Sequence, residues 1–194
     1  MAGLDASTDG RPFRGRTGER LYAAVVVLRW PGGEIVEESY AAARASFPYV
    51  PGLLSFREIP LLIEALGRLT ARPDLLVCDG QGIAHPRRFG LASHLGVLFD
   101  VASLGIAKSL LCGDVADPSP RRGSRRPIRW MGETVGYALR TRDGVRPVFV
   151  SPGHRIGLTD AAALALRLDS GFRIPQPTRL ADQRVKIFKG THTG

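Results

Sequence analysis

The sequence predicts an α/β fold: a mixed sheet that begins with three antiparallel strands and is flanked by helices. Three observations carry this. Residues 21–28 (LYAAVVVL) form an unbroken, β-branched apolar run, the pattern of a strand buried on both faces. Residues 34–43 (EIVEESYAAA) follow it across Pro31-Gly32-Gly33, a strong turn signal, and so pair back as a hairpin partner. Residues 56–69 repeat apolar side chains at Ile59, Leu62, Ile63, Leu66 and Leu69, the 3.6-residue period of a helix, and lead into the short apolar run 75–78. A helix feeding a buried strand is the crossover unit of α/β proteins.

The elements then follow in order. Residues 2–7 are a short first strand, joined by a Gly/Arg-rich loop to residue 21, which completes the antiparallel meander. Pro60 suits the first turn of the helix, and Arg72-Pro73-Asp74 ends it. The strand at 75–78 stops at Asp79-Gly80. Residues 90–100 read as a helix and 102–107 as a strand. Residues 114–132 (DVADPSPRRGSRRPIRWMG), rich in Pro, Gly and Arg, read as a loop. Strands at 134–140 and 147–150 are joined by the turn Asp143-Gly144. A helix over 159–168 takes Thr159 as its N-cap. After Pro175 the chain turns polar, and residues 183–194 read as a basic tail behind a single domain over 1–182.

Composition narrows the function. The 194 residues are 44% hydrophobic and 23% charged, an ordinary globular balance. Lys and Arg number 27 against 18 Asp and Glu, a net charge of +9 that points to a polyanion, nucleic acid first. Residues 1–114 hold 12 basic and 12 acidic side chains, so the whole excess lies in the last 80 residues. The longest apolar run falls far short of the roughly 20 residues of a membrane span, and no secretory signal is visible. Cys78 and Cys112 form no CxxC pair, which argues against a zinc knuckle and for a reducing, cytoplasmic setting.

Three acidic residues stand where charge is unusual. Asp5 lies inside the first apolar stretch, Asp79 ends a buried strand, and Glu58 begins the helix that leads to that strand. Carboxylates from neighbouring strand ends and a helix terminus can converge, and their oxygens are the hard ligands magnesium prefers. Two such ions about 3.5–4 Å apart can activate a water and steady the leaving oxygen of a phosphodiester. Each residue also has a plainer reading: a turn for Asp79, a helix dipole for Glu58, a frayed end for Asp5. Residues 79–94 (DGQGIAHPRRFGLASH) add Gly80 and Gly82, whose backbones can approach a flat ligand, together with His85, Arg87, Arg88 and His94. Pro48 and Pro51 flank Tyr49-Val50 and would hold an aromatic tip rigid enough to wedge into a base stack, or simply stiffen a loop.

The blocks YVPGLLSFRE, CDGQGIAHPRRFGLASHLGVLFD, GIAKSLLCG and SPGHRIG resemble, in order, the signature blocks of endonuclease V, the deoxyinosine-specific repair nuclease. The resemblance runs from about Ala2 to Asp182. It implies an RNase H-like fold, a magnesium requirement with manganese as a substitute, and a nick at the second phosphodiester bond 3′ to the lesion that leaves 3′-hydroxyl and 5′-phosphate ends. It implies Asp5, Glu58 and Asp79 as metal ligands and His154 beside the metal. Pro48, Tyr49, Val50 and Pro51 become the wedge, and Gly52, Leu54, Gly80 and Gly82 the pocket for the extruded base. Lys108, His85 and Arg87 would hold the backbone near the cut. The implied partner is deoxyinosine-containing DNA, with inosine in RNA as a further substrate; no membrane is involved, and the expected state is a monomer. Extrusion fits the chemistry, because a base inside the duplex cannot enter a deep pocket and a weakly paired one is cheaper to flip.

One departure stands out: family members carry a helix before the first strand, whereas only Met1 to Leu4 precede Asp5 here, which predicts a poorly anchored first strand. Two other functions stay open, a non-catalytic inosine or lesion binder and another RNase H-like nuclease such as a junction resolvase.

Overall fold

A computed structural model describes residues 1–9, 19–46, 54–169 and 171–192. Within them lie β1 (Ala2–Thr8), β2 (Arg20–Arg29), β3 (Glu34–Arg44), α1 (Leu54–Gly67), β4 (Leu75–Cys78), α2 (Leu91–Phe99), β5 (Ala102–Ala107), β6 (Arg125–Trp130), β7 (Glu133–Leu139), β8 (Val148–His154), α3 (Leu158–Arg167) and α4 (Gln176–His192). The strands form one open sheet in the order β3-β2-β1-β4-β5-β8-β7-β6. β1, β4 and β5 run parallel, and the remaining pairings are antiparallel. The mixed sheet and its antiparallel opening meander match the expectation from sequence.

The unbroken run in β2 is explained by helices on both faces. Leu21, Ala23, Val25 and Val27 join the core beneath α1 and α2, while Tyr22, Ala24, Val26 and Leu28 meet Ala181 and Val185 of α4. On the same face as α4, α3 covers Val77, Leu104 and Ile106 with Ala161 and Ala165. Far from fraying, β1 is paired on both sides, and Met1 is tied to Leu28 through its ammonium (3.1 Å to the Leu28 carbonyl) and through its own carbonyl (2.8 Å from the Leu28 N–H).

Four expectations are corrected. The Arg-rich stretch contains β6, which pairs with β7 through Arg125↔Leu139 to Trp130↔Glu133. It is the edge strand, so Pro127 disrupts no second ladder. Residues 183–192 are no tail but the second half of α4, with Val185 fully buried. Helix α1 begins at Leu54, which places Pro60 beyond the first turn. Gly157, not Thr159, is the N-cap of α3, and no side chain caps it.

Candidate metal centre and adjoining cavity

The site is assembled where β1 and β4 run side by side. Leu4 is in register with Cys78, so Asp5 and Asp79 emerge at one level of neighbouring parallel strands. Leu4 and Cys78 point to the α1/α2 core; strand alternation sends the next residues to the face that carries α4. There α4 packs directly on β1. A Cβ on Gly3 would stand 2.1 Å from the Pro177 carbonyl oxygen, so glycine is required for the helix to approach this closely. The same packing brings Asp182 of α4 to Asp5 and Asp79. One carboxylate oxygen from each of the three lies within 4.8 Å of the other two, close enough for the three to hold one metal ion.

Glu58 approaches from α1, where its neighbour Arg57 is locked in a buried ion pair with Glu19, just ahead of β2. Burial, then the charges of Asp5 and Asp79, push Glu58 up to about 8. Asp5 is likewise raised to about 8 by burial and by Asp79, and Asp79 is raised by burial. Burial works against ionisation of Asp182 too, but hydrogen bonds and charge from Lys186 and Lys108 outweigh it and hold this carboxyl below its usual range. The Lys108 ammonium stands between two of the acids, 2.5 Å from Asp79 Oδ2 and 3.2 Å from Asp182 Oδ1. Asp5, Glu58 and Asp79, crowded until they resist ionisation, beside an Asp182 that Lys108 and Lys186 hold below its usual range, form a donor set of hard oxygens suited to a small divalent cation.

A cavity of about 330 Å³ opens beside this cluster. Glu58, Asp79, Gly80, Gln81, His85 and Lys108 line it, with Ser55, Leu91, Ala107, Ser109 and Leu111. Gln81 donates from Nε2 to the Ser109 carbonyl (3.1 Å), and its buried Oε1 has no hydrogen-bond partner among the described residues. His85 is buried, and its Nδ1 accepts the Arg87 N–H (3.2 Å).

The structure therefore draws Asp5, Glu58, Asp79, Lys108, Gly80 and His85 into one place. Gly82 does not line the cavity. Its N–H is spent on Ser151 Oγ (2.8 Å), and a Cβ would lie 2.0 Å from the Pro152 oxygen, so this glycine lets the loop cross β8 and offers no amide to a base. Arg87 is exposed and is not a lining residue. Leu54 opens α1; Pro48, Tyr49, Val50, Pro51 and Gly52 lie outside the described residues.

His154 is not beside the acids. Since β8 runs antiparallel to β5, His154 pairs with Ser103 at the start of β5, whereas Asp79 follows Cys78, which is in register with Gly105, so His154 lies about 10 Å back along the sheet and two strands away from Asp79. Its Nε2 faces Asp100 (3.1 Å). Asp182 is the residue that sequence reasoning missed. Its signal was the spacing of Thr178, Ala181 and Val185, a narrow helical stripe of small side chains inside a polar segment.

Comparison with known proteins gives the family. A family model described as Endonuclease V matches residues 1–183. An endonuclease V of Gloeobacter violaceus is 48% identical over 190 residues, which cover 97% of this chain and 76% of that protein. The crystal structure of endonuclease V from Streptomyces avermitilis is similar with a TM-score of 0.91 at 46% identity, covering 100% of this chain and 82% of that one. Ciona intestinalis endonuclease V, in complex with a 24mer DNA containing an inosine followed by a ribo-adenosine, gives a TM-score of 0.80 at 27% identity, covering 98% and 85%.

Proposed function

Because the chain belongs to the endonuclease V family, we propose that it is a magnesium-dependent endonuclease of the deoxyribonuclease V type that extrudes deoxyinosine from DNA and nicks the strand beside it. The observation that carries this is the convergence of Asp5, Asp79 and Asp182 beside a base-sized cavity that Glu58, Asp79 and Lys108 line. The inosine-containing DNA bound to the Ciona relative supports the substrate class. On this reading residues 1–182 are one RNase H-like catalytic unit that acts as a monomer, and Asp182 is a third ligand beside the expected Asp5 and Asp79.

Asp5, Asp79 and Asp182 would hold a divalent cation, magnesium or its substitute manganese, with Glu58 alongside. Such an ion supplies Lewis-acid charge to phosphate oxygens and lowers the pKa of a bound water. Lys108 contributes positive charge where negative charge develops on the phosphate. Gly80 and His85 wall the cavity for hypoxanthine, which lacks guanine's amino group and carries a keto oxygen where adenine has an amine. The bond cut is the second phosphodiester 3′ to the lesion, leaving 3′-hydroxyl and 5′-phosphate ends. Inosine in RNA is a further substrate on the same chemistry.

The test is incubation with an inosine-containing duplex, the matching adenine duplex, an inosine-containing RNA and a branched DNA, with magnesium or with chelator. Expected are a magnesium-dependent nick confined to the inosine strands and its loss in Asp79→Ala and Asp182→Asn. Tight inosine binding without a product would make the chain a lesion binder. Cutting of branched DNA regardless of inosine would make it a resolvase.

A further inference from the structure

A second cavity, about 410 Å³, adjoins the first, and Lys108 and Ser109 line both. Its wall carries Arg140, Arg146 and Arg173 against a single acid, Asp117. That acid is already engaged, since Arg140 Nη2 sits 2.6 Å from Asp117 Oδ2, and the same guanidinium donates to the carbonyls of Ser119 through Nε, Pro118 through Nη2 and Val145 through Nη1. Arg173 spends its donors on carbonyls alone: Arg146 (3.0 Å), Lys108 (2.9 Å) and Pro147 (2.9 Å). No carboxylate among the described residues neutralises it. The exposed Arg146 guanidinium, in the loop before β8, has neither an ion pair nor a hydrogen bond among them. Burial and the Arg146 charge together pull Arg173 below its usual range, so the two cations feel one another.

Several other arginines of the basic half are already engaged. Arg122 is paired with Asp169, Arg155 with Asp100 and Arg184 with Glu38, and Arg125 lies over the Tyr137 ring. Two guanidiniums held together without a counter-charge are unfavourable until an anion joins them, and the planar fork of arginine suits a phosphate. Lys108 connects this place to the acids and to the base cavity.

We propose that the cavity between Arg146, Arg173 and Lys108 is a subsite for one backbone phosphate of the nucleic-acid strand adjoining the extruded nucleotide, with Arg146 as the contacting side chain. This rests on the function proposed above and extends it. Arg173 is the fixed cation that also pins the Lys108 and Pro147 backbones, so the subsite is built before the strand arrives.

The experiment is a phosphate-neutralisation scan. Single-stranded inosine oligonucleotides, each with one methylphosphonate within three nucleotides of the inosine on either side, are titrated in chelator by fluorescence anisotropy against wild type and Arg146→Gln. Circular dichroism confirms that the exposed variant is folded. Expected is one position at which neutralisation weakens wild type about 10-fold, as for a charged hydrogen bond. Arg146→Gln should lose a similar factor on the unmodified strand and nothing further at that position, and its slope of log affinity against log salt should fall by about one. Arg146→Gln binding every strand as wild type does, or losing the same factor at every position including that one, overturns the subsite. If wild type nicks inosine strands normally in that case, the function stands without it. If wild type shows no preference for inosine, function and subsite fall together.

Discussion

Replacing Asp5 with asparagine should stabilise the metal-free protein while removing its response to metal. Asp5 is 8% exposed and is raised to about 8 by burial and by Asp79. In the unfolded chain an aspartate titrates near 3.9. Between about pH 4 and pH 8 the folded state therefore keeps a proton that the unfolded state releases. Unfolding is then favoured by up to about 1.4 kcal/mol for each pH unit that one such group spans. Stability linked to the raised group is present below pH 4 and is lost as pH rises to 8. Asparagine has the same shape and no proton to lose. Because Asp79 and Lys108 share the interaction, a gain of about 1–3 kcal/mol at pH 8 is a reasonable scale. For a chain of this size that is roughly 2–12 °C in Tm. Thermal unfolding in chelator from pH 4 to pH 8 should show the two proteins together at the acid end and the variant increasingly ahead above it. Added magnesium should raise the wild-type Tm and leave the variant unchanged. A variant less stable than wild type at pH 8 in chelator, or a gap that does not grow with pH, would refute the account of crowded carboxylates.

Three further outcomes follow from packing. Gly3→Ala places a Cβ 2.1 Å from the Pro177 oxygen, so α4 must withdraw with Asp182; nicking at saturating magnesium and the magnesium-dependent rise in Tm should both be lost. Gly82→Ala meets the Pro152 oxygen at 2.0 Å and should cost about 3 kcal/mol in denaturant midpoint, since two backbones would have to separate. His154→Ala, at the far end of β5, should keep kcat/KM within about twofold and lose at most about 1 kcal/mol of stability; a hundredfold loss of activity would return His154 to the site.

The paired residues Asp5 and Asp79 were legible because both combine an apolar neighbourhood with a charge, a conflict that local structure does not resolve. Glu58 and Lys108 came with recognisable blocks beside strand and helix ends. His154 shows the limit: the SPGHRIG block is as distinctive as the others, yet its glycine serves packing. A Cβ on Gly153 would meet Ser103 Oγ at 2.3 Å and the Ala92 backbone at 2.7 Å, where α2 lies against β5 and β8. A motif marks a demand on the chain without saying whether chemistry or close approach makes it. The basic excess divides in the same way, since several of the arginines that once suggested a general grip on nucleic acid are spent on carboxylates or carbonyls.

By itself the sequence determined the mixed sheet and its opening meander, through runs whose periods admit one secondary structure, and it marked the two strand-borne acids. Only the tertiary structure decided that Asp182 completes the cluster, that His154 lies apart and that Arg146 is left uncompensated. The reason is physical. Periodicity reports which side of an element is buried, whereas convergence depends on strand direction and on how closely one element can lie on another. Here an antiparallel β8 carries His154 away, and a glycine without a Cβ lets α4 bring its aspartate in.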